Sequence, residues 1–409
     1  MKQIARLDTN HDDLVHGLAY DYYGKRLVSC SSDQKLKVWD YRDSKGAWEL
    51  NESWKAHEAS ILKTCWTHPE FGQVIASCSF DRTVRIWEES SSFADHHGSG
   101  SGISSRRWVE RARLVEARGA VLDIAFAPHH LGLKLATISS DGCLRIYEAM
   151  DVVNMSQWTL MDEVIVGAVG ICESGGVRDP IQEGYCLAWC QSRFGPPQLA
   201  IGCGPDNTVK ILRSDPNSPS HWSFKEALPG HEGVIHAVSW APNPGRTHEL
   251  IATACKDRRI RIFKLSDHPP HADPVVGSVA GGSIYFGSPF GENPPVIDSQ
   301  LSTNDTSPQI ASSSISEQPF LYHVSLVATL PDHRAEVWQV DFNILGTILA
   351  SSGDDGKVRL FKAISKDNWK CMSVISSETS RTSNISNNLF MPSSHLGVHG
   401  QNVANEFTD

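Results

Sequence analysis

No stretch of this chain approaches the roughly 20 consecutive apolar residues that a membrane-crossing helix requires. Residues 1–13 lack the apolar core of a secretion signal, so any work at a membrane is expected to be indirect, through another molecule. Basic clusters are scarce too: 37 Lys and Arg stand against 47 Asp and Glu, for a formal net charge of -10. A nucleic-acid surface is marked by a stripe of Lys and Arg. The densest groups here, Arg106-Arg107 and Lys256-Asp257-Arg258-Arg259, read as solvated loop charge, and no direct nucleic-acid contact is expected.

Motifs that carry chemistry are missing as well. The chain has no P-loop, no GxSxG elbow and no dinucleotide fingerprint, and Gly175-Gly176 and Gly281-Gly282 read as loop glycines. His96-His97 and His129-His130 have no third ligand nearby in sequence, which leaves no zinc spacing. No CxxC pair occurs, and Cys186 and Cys190 merely flank a predicted strand. Ten cysteines in 409 residues are too few for a disulfide framework. Cys30, Cys65, Cys78, Cys143, Cys203 and Cys255 fall in or beside predicted strands, where a free thiol packs as a small apolar group, and a reducing compartment is expected. No catalytic activity, cofactor or metal is expected.

What the chain has is repetition. Six times an Asp in a tight turn precedes, by six positions, a bulky residue that closes an apolar strand: Asp33/Trp39, Asp81/Trp87, Asp141/Tyr147, Asp206/Leu212, Asp257/Phe263 and Asp355/Phe361. Read as four short strands, the unit is that of a WD40 β-propeller, in which no repeat can bury its faces alone. The spacing exceeds the roughly 40–45 residues of such repeats, so the surplus is assigned to loops. An all-β, six-bladed propeller points to binding rather than chemistry.

The second repeat is the most complete, with His57, the run 61–66, the turn His68-Pro69-Glu70-Phe71-Gly72, the run 74–79, Asp81 and Trp87. His57, Ser77, Asp81 and Trp87 are expected to form one buried hydrogen-bonded chain, because a buried polar group without a partner costs roughly 1–3 kcal/mol. Parts recur as Ser29, Asp33 and Trp39; Thr137 and Asp141; His231, Thr253 and Asp257; and His333, Ser351 and Asp355. The fourth repeat is degenerate, with Gly202 where the hydroxyl should stand. These Asp residues already have a structural task, so reading them as paired catalytic carboxylates would count them twice.

Trp48, Trp108, Trp158, Trp222 and Trp369 each open a predicted outer strand. Segments 90–105 and 266–319 are rich in Ser, Gly and Pro and are expected to be disordered, as is the tail 376–409, leaving a propeller over 1–375. The sixth blade is read as 337–342, 347–352, 357–362 and 369–375, complete in itself. A strand formed by Lys2, Gln3, Ile4, Ala5, Arg6 and Leu7 then has no assigned place. Either it attaches to its neighbour in a closed ring, or the gap between the first and last blades is a docking site by strand addition.

Specific residues go beyond the generic repeat. WTHPEFGQVIASCSFDRT (66–83), SCSSDQKLKVWD (29–40), DVVNMSQWTL (151–160), SSGDDGKVRLFK (351–362) and DNWKC (367–371) resemble the Seh-type WD40 nucleoporins, Sec-thirteen-like subunits of the Y-shaped nuclear pore scaffold. The resemblance implies an open six-bladed propeller, completed in trans by a three-stranded blade from an α-helical scaffold nucleoporin. It further implies other Y-complex subunits as partners, a place at the nuclear envelope, and membership of a coat-like assembly that tunes TOR signalling at the vacuolar or lysosomal membrane. Carried onto this chain, the docking surface comprises residues 2–7, Val15, Leu18 and Tyr20 of the first blade with Val337, Val340 and Phe342 of the last. The 266–319 insertion and the weak fourth blade depart from the pattern. The competing reading from another class is an adaptor, such as a ubiquitin-ligase substrate receptor, that holds a peptide on the ring's top face.

Overall fold

Apolar runs separated by Asp- and Gly-bearing turns fold as strands, and the turns are short enough that each strand pairs antiparallel with the next. The computed structural model describes residues 7–91, 106–167, 184–204, 206–266, 322–365 and 368–376. Within them lie six four-stranded sheets, each drawn from consecutive strands. Blade one is β1 (Val15–Tyr20), β2 (Arg26–Ser31), β3 (Lys35–Arg42) and β4 (Ala47–Lys55); blade two is β5 (Ile61–Trp66), β6 (Val74–Ser79), β7 (Val84–Ser91) and β8 (Arg106–Leu114). Blade three is β9 (Val121–Phe126), β10 (Lys134–Ser139), β11 (Cys143–Ala149) and β12 (Trp158–Ile165); blade four is β13 (Cys186–Trp189), β14 (Gln198–Cys203), β15 (Thr208–Asp215) and β16 (Ser218–Leu228). Blade five is β17 (Ile235–Trp240), β18 (His248–Cys255), β19 (Ile260–Ser266) and β20 (His323–Leu330); blade six is β21 (Val337–Phe342), β22 (Ile348–Gly353), β23 (Lys357–Ser365) and β24 (Asn368–Ser376). The first strand of each blade lies toward the axis. There His16, Leu62, Leu122, Tyr185, His236 and Trp338, one from each blade, line one end of a central channel. The expectation of a six-bladed all-β propeller is borne out.

The recurring Asp has a local cause. In five blades its Oδ1 accepts the backbone N–H two residues on, from Lys35, Thr83, Cys143, Arg259 and Lys357, at 2.9–3.2 Å. The residue between is held in the left-handed region: Gln34, Arg82, Gly142, Asn207, Arg258 and Gly356 all have φ between 49° and 73°. An Asp side chain that mimics a backbone turn makes this conformation accessible even to Gln and Arg. The hairpin between second and third strands therefore recurs wherever Asp does.

The closing bulky residue marks a second regularity. Pairing between third and fourth strands shifts register at Val38/Trp39, Ile86/Trp87, Ile146/Tyr147, Ile211/Leu212, Ile262/Phe263 and Leu360/Phe361. A bulge of this kind bends the outer strand and strengthens its twist, as radial blades require. Blade four keeps this device and its four strands despite Gly202.

Five apolar clusters hold the blades together, one at each successive junction. Val28, Leu36 and Val38 meet Ile75 and Trp87; Ala76, Val84 and Ile86 meet Ile124 and Tyr147; Leu144 and Ile146 meet Leu199 and Leu212. Val209 and Ile211 meet Ile251 and Phe263, and Ile260 and Ile262 meet Leu349 and Phe361. Polar links reinforce the seams as well. Arg26 bridges to Glu89 at 2.7 Å, and Arg246 of blade five donates to the Gly346 carbonyl of blade six at 2.9 Å. Gly346 has φ +62°, and a Cβ there would lie 2.5 Å from the Pro242 oxygen, so no other residue fits.

Residues 2–6 of the expected extra strand lie outside the described residues, and Leu7 is not part of a strand. Segments 92–105 and 267–319 and the tail beyond 376 likewise fall outside them.

Candidate partner-docking site

The residues that hold each blade together and the residues that could hold a partner occupy different places. In blade two His57 Nδ1 lies 2.9 Å from Asp81 Oδ2, its Nε2 lies 2.8 Å from Ser77 Oγ, and Trp87 Nε1 donates to the same hydroxyl at 3.0 Å. Blade one repeats the chain with His11, Asp33, Ser29 and Trp39, and blade six with His333, Asp355 and Ser351, where Phe361 has no N–H to contribute. His11 escaped the sequence reading. Its signal is the separation from the turn Asp, 22 residues against 24 for His57 and 22 for His333. In blade three Arg145, fully buried, bonds Asp141 at 2.8 Å, as the arginine four residues after the turn Asp also does in blades five and six.

These networks fix a pH response. Burial, then the Arg261 charge, pushes the His231 imidazole down to about 4, and burial likewise lowers His57. Burial alone would raise the Asp141 carboxyl, but hydrogen bonds from Arg145 and Ser139 outweigh it and hold the group at about 2. A His lowered in the folded state favours unfolding once pH drops below its free value near 6.5, and a lowered Asp adds its loss only below about 4. Thermal melts are expected to be flat above pH 7, to decline from about 6.5 to 4, and to steepen below that. His231→Gln should shallow the upper decline, and equal midpoints at pH 7 and 5 would refute the assignment.

The candidate docking site is the sixth junction. In blades one to five the third-strand pairs Leu36/Val38, Val84/Ile86, Leu144/Ile146, Val209/Ile211 and Ile260/Ile262 are at most 2% exposed, covered by the next blade. The same positions in blade six are Val358, 38% exposed, and Leu360, half-buried. On the other side of the gap Leu18 and Tyr20 of β1 are each 60% exposed. Their counterparts Ile124 and Val340, or Trp189 and Trp240, are buried against the preceding blade. Among the described residues six blades thus share five apolar junctions, and the faces that a sixth would cover are open.

The expected docking residues divide accordingly. Val15, Leu18 and Tyr20 lie exposed on β1, while Val337, Val340 and Phe342 are buried among blade-five side chains, including Ala252 and Ile262. The pleat sends those three inward. Gln339, their exposed neighbour on β21, shares the open face with Val358 through the ladder from β21 to β23, whereas Asp341 accepts from Ser239 Oγ of blade five at 3.1 Å. Sequence reasoning missed Val358 and Leu360, because the same positions are core in every other blade. No group of three His, Cys, Asp or Glu side chains suited to a metal occurs among the described residues.

Comparison with known proteins matches the geometry. Residues 1–40, 48–88, 222–264 and 324–362 fit the family model described as WD domain, G-beta repeat. Nucleoporin seh1 of Schizosaccharomyces pombe is 39% identical over 372 residues, 91% of this chain and 96% of that protein. Nucleoporin SEH1 of Saccharomyces cerevisiae is 38% identical over 371 residues, 91% of this chain and 99% of that one. Nucleoporin SEH1 of Homo sapiens is 35% identical over 379 residues, 91% of this chain and 88% of the human protein. With likeness of this extent on top of six WD40 blades, the chain belongs to the SEH1 family of WD40 nucleoporins.

Proposed function

We propose that the protein is a non-catalytic scaffold subunit of the nuclear pore's outer-ring Y complex, at the nuclear envelope, and that it binds an α-helical scaffold nucleoporin by blade completion. The observation that carries this reading is the pair of open sheet faces, Leu18 and Tyr20 on one side of the gap and Val358 and Leu360 on the other. An apolar face left in water is unfavourable by roughly 25 cal/mol per Å², so a sheet slotted between the faces would gain on both sides. Sheets pack about 10 Å apart, which sets the thickness of the guest. The partner is a blade-sized sheet offered by the helical subunit. The same docking mode would serve a coat-like assembly that regulates TOR signalling at the vacuolar or lysosomal surface, reached through partners rather than by direct membrane contact.

Mixing the purified protein with the purified helical nucleoporin tests the reading. Size-exclusion chromatography is expected to give a stoichiometric complex that persists in molar salt, because apolar burial is little screened. A complex that falls apart in salt, or that a short peptide on the opposite end of the ring displaces, would replace the scaffold with a peptide-recruiting adaptor.

A further inference from the structure

The connections between first and second strands of all six blades converge on one mouth of the channel, around a cavity of about 580 Å³. Trp66 and Phe126 form its apolar wall, and His68, His129, His130 and Arg193 its polar one. No Asp or Glu lines it, in a chain whose formal net charge is -10. The polar wall is ordered: the His68 and His129 rings stack at 4.2 Å, Tyr22 meets His68 edge-on at 4.9 Å, and Arg193 Nη2 donates to His129 Nε2 at 3.1 Å. Glu70, 3.8 Å from His68, is the nearby carboxylate, and it points to the exposed outside. Most other arginines of the blades, such as Arg26, Arg85, Arg111, Arg145 and Arg359, are paired with carboxylates, whereas Arg193 has none among the described residues. Large apolar side chains crowd the rim on the same turns, with Tyr22, Tyr23, Phe194, Ile344 and Leu345 all more than half exposed. Such a concentration on one face of a soluble protein marks a contact surface.

We propose that this mouth binds an acidic linear peptide segment of a partner protein, a carboxylate on Arg193 and an apolar side chain against Trp66 and Phe126. The guanidinium is a planar fork whose free edge suits a carboxylate in two-point fashion, and the aromatic wall offers an anchor of the kind that dominates peptide affinity. A cavity of this size takes a few residues. Charge complementarity selects the occupant, since Arg193, the one fixed charge of the lining, stands without a carboxylate among the described residues in a molecule of the opposite overall sign. A single-stranded nucleic acid would need a basic track along its backbone, and one arginine with three histidines does not make one. Arg193 of blade four carries the charge contact, while Tyr20, Tyr22 and Ile344 bring the rim round to blades one and six, so Arg193→Glu is the variant that probes the mouth without touching the blade gap.

Fluorescence anisotropy of the full chain with a fluorescein-labelled, glutamate-rich peptide carrying a central Phe-Leu pair tests it. Saturable binding is expected, weakening about tenfold in Arg193→Glu and again as salt is raised, because the charge pair is exposed to screening. Tyr22→Ala should also weaken it, and the glutamine version of the peptide should bind at least about tenfold less tightly. Arg193 and Tyr22 are exposed, so both variants should keep the parent melting temperature. Equal affinity for the glutamine peptide, unchanged affinity in Arg193→Glu, or tighter binding of oligothymidine through the same residues would each overturn the proposal.

Discussion

Trp87→Ala is expected to lower the unfolding free energy by roughly 3–5 kcal/mol, the range for deleting a large buried aromatic. The indole is only 5% exposed and packs edge-on against Trp54 at 5.5 Å, within the cluster that joins blades one and two. Truncation leaves a cavity at a seam both of whose sides are sheets, and sheets do not collapse inward as a loop could. It also strips Ser77 of the donor at 3.0 Å that completes the chain from Asp81 through His57. Trp87→Phe separates the two terms: it keeps most of the packing and loses the hydrogen bond, for about 1 kcal/mol. The natural Phe at position 361, whose blade keeps His333, Ser351 and Asp355 in place, shows that the fold tolerates that smaller loss. Denaturant midpoints of the two variants against the parent measure the difference. A Trp87→Ala midpoint equal to the parent's would mean that the blade-one to blade-two seam is not a stabilising core.

The turn Asp and the bulky residue after it were legible in the sequence because both act locally. Asp fixes its own hairpin by bonding two residues ahead, and the closing residue coincides with a bulge, so each leaves a mark that needs no knowledge of neighbouring blades. The direction of side chains on β21 was not legible. The ladder of β21 shifts register between Val337 and Gln339, so alternation along the strand does not give the face of each side chain. The docking surface implied by the resemblance included Val337, Val340 and Phe342, which the structure buries against blade five, while Val358 and Leu360 of β23 lie on the open face. His11 was missed for a related reason. No strand pattern marks the stretch after Leu7, and His11 there reaches Asp33 and Ser29 at 2.8 and 2.9 Å and completes blade one. Nothing in the composition of position 358 distinguishes it from Val84, since only the absence of a blade packed on it among the described residues leaves it uncovered.

That absence makes the blade gap separable from stability, and Leu18→Glu combined with Val358→Glu should separate them. In the isolated protein both side chains already face water, at 60% and 38% exposure, so the charges add no desolvation and the melting temperature should hold within what surface changes cause, about 0.5 kcal/mol. Once a guest blade covers the faces, each carboxylate is shut into an apolar seam without a partner. A buried charge left unpaired costs about 3–5 kcal/mol, so affinity for the helical nucleoporin is expected to fall at least about a hundredfold. The contrasting pair Val84→Glu and Ile124→Glu puts the same chemistry into a seam already closed, where both residues are at most 2% exposed, and that variant should fail to fold. Calorimetric titration of the gap variant beside a thermal melt gives both readings on one sample. Undiminished binding with an unchanged melt would move the partner off these faces; a collapsed melt would mean that the ring closes on itself through them.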